Sequence, residues 1–162
     1  PMKKFLVYAL MAILVPLSAS ASEKENILSL KITSITQERS KDNHAQKEEF
    51  SLTGTTLKYK ETVSGYLRII GVQDQEKEIT VSEESINKIN ELALKLKECH
   101  KEDVAYATDE IGVFYIITIE IAQNEKTETI KISGMSKYLN DNTLYKQYQG
   151  FISNIKHLVL NN

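Results

Sequence analysis

Val113-Phe-Tyr-Ile-Ile-Thr-Ile-Glu-Ile121 is the stretch that decides the fold. Val113, Tyr115, Ile117, Ile119 and Ile121 share one face of an extended chain, because side chains alternate with a period of two. Phe114 and Ile116 begin the other face, and Thr118 and Glu120 continue it. The pattern predicts a central strand whose first half is covered on both sides. Gln123 to Glu125 reads as a turn, and Ile130 and Ile132 mark a returning strand that ends at Gly134. Beyond it, Leu144, Tyr148, Phe151, Ile152, Ile155 and Val159 recur at helical spacing, which predicts a helix over about 142–159.

Upstream lies a second helix. Ser82 is a good N-cap, Glu83 and Glu84 occupy the first turn, and Ile86, Ile89, Leu92, Ala93 and Leu96 fall on one arc. Lys95, Lys97, His100 and Lys101 crowd its end, where the helix dipole favours cations. The expected helix spans 83–99. Earlier still, Leu28, Leu30 and Ile32 alternate with Ser29, Lys31 and Thr33, so 27–35 reads as the first strand. Thr36 to Lys47 is polar throughout and reads as a long solvated loop or the frayed end of a long hairpin. Phe50 and Leu52 open another alternating run. Its parity switches across Thr53-Gly54-Thr55, as a hairpin turn or bulge requires. Tyr66 to Val72 reads as a strand interrupted at Gly71, and Glu78 to Val81 as a short strand leading into the helix. The segment 101–111 reads as a loop.

Strands followed by helices laid on one face make an α+β domain. The expectation is an antiparallel sheet of five to six strands with two helices on one face. The chain of 162 residues, with a net charge of −2, has the composition of one globular domain. That balance argues against a nucleic-acid binder relying on bulk positive charge.

Residues 1–21 read as a signal peptide. Lys3 and Lys4 form a basic start, Phe5 to Leu17 is uncharged and mostly apolar, and Ala19 and Ala21 make a small-x-small cleavage pattern. The apolar run has 13 residues, against about 20 needed to span a bilayer. Cleavage after Ala21 leaves Ser22 to Asn162 as one α+β domain destined for the periplasm or the exterior, with no stable membrane anchor. Cys99 is then the single cysteine in an oxidising compartment, so an intramolecular disulfide is excluded. It sits on the edge of the apolar arc of its helix.

The order first strand, hairpin, helix, second hairpin, final helix is similar to that of small secreted bacterial domains, the emfourin-type metallopeptidase inhibitors. The resembling pieces are Phe50-Ser-Leu-Thr-Gly-Thr-Thr-Leu-Lys-Tyr59, Ile79-Thr-Val-Ser-Glu-Glu84, and Tyr115 to Ile132 with the helix after it. The resemblance covers most of the chain beyond Ser22 and lies in the order of elements. It implies a non-enzymatic, protein-binding role.

Ser85-Ile-Asn-Lys88 matches the S-x-x-K spacing of serine acyl-enzymes, but no K-T-G or S-D-N element follows. Zinc, phosphate-loop, dinucleotide and C-x-x-C motifs are also missing. No catalytic, metal or cofactor residue is therefore assigned. Tyr106 and Tyr138 lie in loops and are candidates for exposed contacts. Partner binding falls to the two polar segments: Arg39, Asp42 and His44 on the first, and Asp103, Tyr106 and Asp109 on the second. Three functional readings follow. The first is a secreted or periplasmic binding domain, an inhibitor or accessory subunit acting on another envelope or extracellular protein. The second is a structural or stress-related envelope protein without a discrete site, and the third a small carboxylate-based hydrolase.

Overall fold

The decisive stretch forms strand β6 (Gly112–Gln123), and β7 (Lys126–Met135) returns beside it across the turn at Asn124 and Glu125. The computed structural model describes residues 29–39 and 44–161. The expected leader, its cleavage site and Asp42 lie outside the described residues. So do Ile27 and Leu28 of the first expected strand.

Four strands of six or more residues precede β6 in a single sheet. They are β1 (Ser29–Arg39), β2 (His44–Thr53), β3 (Thr56–Ser64) and β4 (Gln75–Thr80). With β5 (Val104–Ala105) the sheet has seven strands among the described residues, in the order β4-β3-β2-β1-β6-β7-β5. β1 is therefore the middle strand, and β6 lies next to it. Every pairing is antiparallel except β5 with β7, which is parallel.

The register stacks apolar side chains in rows across one face. Ile32 stands opposite Phe50 on one side and Ile119 on the other, and Ile119 stands opposite Ile130. Helices α2 (Glu83–Cys99) and α4 (Thr143–Leu160) cover that face. Ile89, Ala93 and Leu96 from α2 join Leu144, Phe151 and Ile155 from α4 in one core with the sheet rows. Both helices start as their sequences dictate. The Ser82 hydroxyl accepts from the Ser85 amide at 3.2 Å, and the Asn142 side chain accepts from the Tyr145 amide at 3.1 Å. The Ser82 hydroxyl also donates to that of Ser85, and Lys88 faces Glu91 at 3.7 Å. The S-x-x-K pattern is thus a helix cap. Cys99 is half-buried and packs against the core at the end of α2.

One expectation narrows and two change. Of the two readings of Thr36 to Lys47, the long hairpin holds and the solvated loop does not: its described residues continue the β1–β2 ladder out to Glu38 opposite His44. A ladder needs backbone partners, not apolar side chains, so polarity alone did not end it. Shortening 38–46 to a tight turn therefore removes paired strand and is expected to destabilise the sheet. Tyr66 to Val72 is not a strand. Gly65, at φ +66°, turns the chain into the single helical turn α1 (Tyr66–Ile69). The 101–111 segment contains β5, which adds the seventh strand. A second short helix, α3 (Ser136–Leu139), follows β7.

Candidate functional site

The strand directions bring four parts of the chain to one end of the sheet. These are the facing ends of β1 and β2 at Arg39 and His44, the α1 segment between β3 and β4, residues 106–111 between β5 and β6, and α3 with the residues leading to α4. Together they form a rim along the sheet end, with neighbouring strands spaced about 4.8 Å apart. The other end carries the tight turns at Gly54 and at Asn124.

Arg39 stands near the middle of the rim. Its guanidinium lies 3.9 Å from the centre of the Phe114 ring, and its Nη1 donates to the Thr108 carbonyl at 2.5 Å. One side chain thus covers the outer face of β6 and ties the first polar segment to the second. His44 Nε2 lies 2.9 Å from Glu38 Oε2 across the hairpin. Tyr106 packs on Tyr138, with ring centres 6.2 Å apart. It runs close beside Gly134, where an added Cβ would lie 3.0 Å from the Tyr106 Cβ. Gly134 also sits at φ +152°, so both backbone conformation and space require glycine there. The Tyr138 hydroxyl donates to Glu110 Oε1 at 2.6 Å, and Lys137 donates to Glu110 Oε2. These bonds, Lys137 first and Tyr138 second, hold the Glu110 carboxyl below its usual range. Asp109 is exposed on the same loop.

The structure brings Arg39, His44, Tyr106 and Asp109 to the rim, but not Asp103. The Asp103 Oδ1 accepts from the Lys131 amide at 2.9 Å and lies 3.1 Å from His100 Nε2. Lys131 is four residues back along β7 from Met135, about 13 Å from the rim at strand rise. Asp103 is a structural clamp that seats β5 on the edge of β7. Its carboxyl is held below the usual range, first by the Lys131 amide and then by His100. A lowered folded-state pKa stabilises the clamp above the ordinary carboxylate range, and that contribution fades as pH falls through the lowered value. Hydrogen exchange at the Lys131 amide is expected to be slow above about pH 4 and to accelerate below it. After correction for intrinsic exchange rates, unchanged protection at pH 2–3 would refute the clamp.

Sequence reasoning named Tyr106 and Tyr138 but missed Tyr66 and the isoleucines of the rim. Ile69 is 81% exposed with Ile70 and Tyr66 on the β2–β3 side of the rim, and Ile111 is 80% exposed with Tyr106 and Tyr138 on the β6–β7 side. Six of the seven exposed large apolar side chains among the described residues lie on this end, Leu160 being the seventh. The Asp74 carboxylate links α1 to β3: both its oxygens accept from Arg68 Nη2 at 2.8 Å, and Oδ1 also accepts from the Val63 amide at 3.1 Å. The available signal was the pair Gly65 and Gly71 bracketing an apolar segment too short to cross the sheet.

Among the described residues, no group of three or more His, Cys, Asp or Glu side chains is arranged to hold a metal. No helix among them is long and apolar enough to cross a membrane. Comparison of the chain with protein-family models and with curated proteins finds no match.

Proposed function

We propose that the protein is a non-enzymatic binding domain of the periplasm or extracellular space that grips another protein through this rim, as an inhibitor or accessory subunit. The observation that carries the reading is the concentration of exposed isoleucine and tyrosine at one end of a rigid sheet. Soluble proteins rarely gather such side chains without a partner to cover them. Tyrosine and other large apolar groups held on a fixed scaffold are the usual energetic centre of protein interfaces.

The charges of the rim favour a protein over a nucleic acid. Arg39 is engaged with Phe114 and Thr108, Arg68 with Asp74, and Lys137 with Glu110. Each of these three described cations is already partnered, which leaves them little to neutralise a phosphate backbone.

The test is retention of a partner from envelope extract by the immobilised chain. Ile69→Asp with Ile70→Asp, and Ile111→Asp with Tyr106→Ala, are each expected to cut retention at least tenfold, the scale of losing an interface hot spot. Thermal midpoints are expected to move little, because substitutions at exposed positions usually change stability by about 0.5 kcal/mol or less. Full-strength retention by both double variants, each folded, would place binding elsewhere and sink the reading.

A further inference from the structure

At the end of the sheet opposite the rim, the last turn of α2 and the β6–β7 turn border a cavity of about 430 Å³. Lys97, Gln123, Lys126, Thr127 and Glu128 line it. Gln123 is the last residue of β6 and is only 5% exposed. Its Oε1 accepts from Lys97 Nζ at 3.0 Å, which fixes the orientation of the amide. The Nε2 donor on the other side is buried and has no hydrogen-bond partner among the described residues. Buried amide donors are nearly always satisfied, so an unmatched one asks for an acceptor. Lys126 also has no ion-pair partner among the described residues. Glu128 is occupied: one oxygen lies 3.7 Å from Lys97 and the other 3.2 Å from His100 Nδ1. β5 pairs with β7 only at Ile132 and Ser133, so no strand covers β7 beside the cavity.

We propose that this cavity binds a carboxylate group. The Lys126 ammonium and the Gln123 amide supply the two unmatched donors, while Lys97 offsets the charge of Glu128. A carboxylate carries two acceptor oxygens, and bonds from charged donors are the stronger kind. The site is separate from the rim and stands whether or not the rim reading holds. The carboxylate can belong to a free organic acid or to an acidic side chain of a protein.

The test follows the Gln123 side-chain amide by NMR in the ¹⁵N-labelled chain. Sodium acetate is titrated against sodium chloride at matched ionic strength, then a terminally blocked glutamate peptide against its glutamine counterpart. A saturable shift with acetate and with the glutamate peptide assigns the site to carboxylates in general. A shift with the glutamate peptide alone assigns it to protein-borne carboxylates. In either case Lys126→Ala, an exposed change that leaves the core intact, is expected to weaken binding about tenfold, as loss of one charge-assisted bond would. The proposal falls if neither carboxylate moves the resonance, if chloride or the glutamine peptide moves it equally, or if Lys126→Ala leaves the affinity unchanged.

Discussion

Replacing Ile119 by alanine is expected to cost between about 2 and 5 kcal/mol, the range for emptying a fully buried aliphatic site. Ile119 has no solvent exposure. It stands between Ile32 and Ile130 in the register, in the same core as the inner faces of α2 and α4. The loss is a large share of the roughly 5–15 kcal/mol by which native domains are stable. Urea denaturation is the measurement, and the midpoint is expected to fall with the slope unchanged, since the surface exposed on unfolding stays nearly the same. Ile116 supplies the control. It lies on the opposite face of the same strand and is only half-buried, opposite Ile35 and Ser133. Ile116→Ala is expected to cost about 1 kcal/mol, in proportion to the smaller area withdrawn from water. Equal losses at the two positions would mean that the two faces of the sheet are not distinct.

That contrast between faces was legible in the sequence, because alternation and helical spacing are local. The same holds for α2, whose start follows from Ser82 and whose inner arc follows from Ile89, Ala93 and Leu96. It holds for the hairpin at Gly54, where a parity switch marks the turn. Two features were hard to read for opposite reasons. The outer β1–β2 ladder is polar, so hydropathy is silent there and leaves a loop and a long hairpin both open, although cross-strand pairs such as Glu38 with His44 keep it in register. α1 is apolar but exposed, so hydropathy speaks and misleads. Tyr66 to Ile70 resemble a buried strand until Gly65 and the Asp74 clamp are placed in three dimensions.

The candidate site divides the same way. Arg39, His44, Tyr106 and Asp109 were legible because polar and aromatic loop residues stand out against a hydrophobic pattern. Ile69, Ile70 and Ile111 were not, because an isoleucine in a sequence is counted toward the core unless the fold strands it on the surface. The place of Asp103 was not legible because its partner, the Lys131 amide, is 28 residues away in the chain. β5 has only two residues and forms through that same long-range contact, so no local pattern announces it.

Lys156→Met is the second large effect expected, and it tests a polar junction inside the domain. Glu48 on β2 and Glu61 on β3 are register partners on the helix-covered face, an arrangement in which like charges repel. Three side chains relieve the repulsion. Lys156 from α4 donates to Glu48 Oε2 at 2.7 Å, and the Gln46 amide donates to Glu61 Oε1 at 2.5 Å. The Tyr59 hydroxyl donates to Glu61 Oε2 at 2.8 Å and lies 3.5 Å from Glu48 Oε1. Burial, then the bond to Glu61, pushes the Tyr59 hydroxyl well above its usual range, so it remains a donor at any physiological pH. The Glu48 side chain is only 14% exposed, so removing Lys156 leaves a poorly solvated carboxylate against a second one. Breaking a fully buried pair costs about 3–5 kcal/mol. Lys156 is itself 39% exposed, which lowers the expectation to about 2 kcal/mol. Glu48→Gln removes the repulsion and is expected to restore most of that loss in the Lys156→Met background, a coupling that a double-mutant cycle reads directly. The coupling should survive high salt, because partly buried pairs are screened much less than exposed ones. If Glu48→Gln restores nothing, the loss comes from the aliphatic stem of Lys156 packing α4 onto the sheet, and the carboxylates at this junction are not held apart by charge.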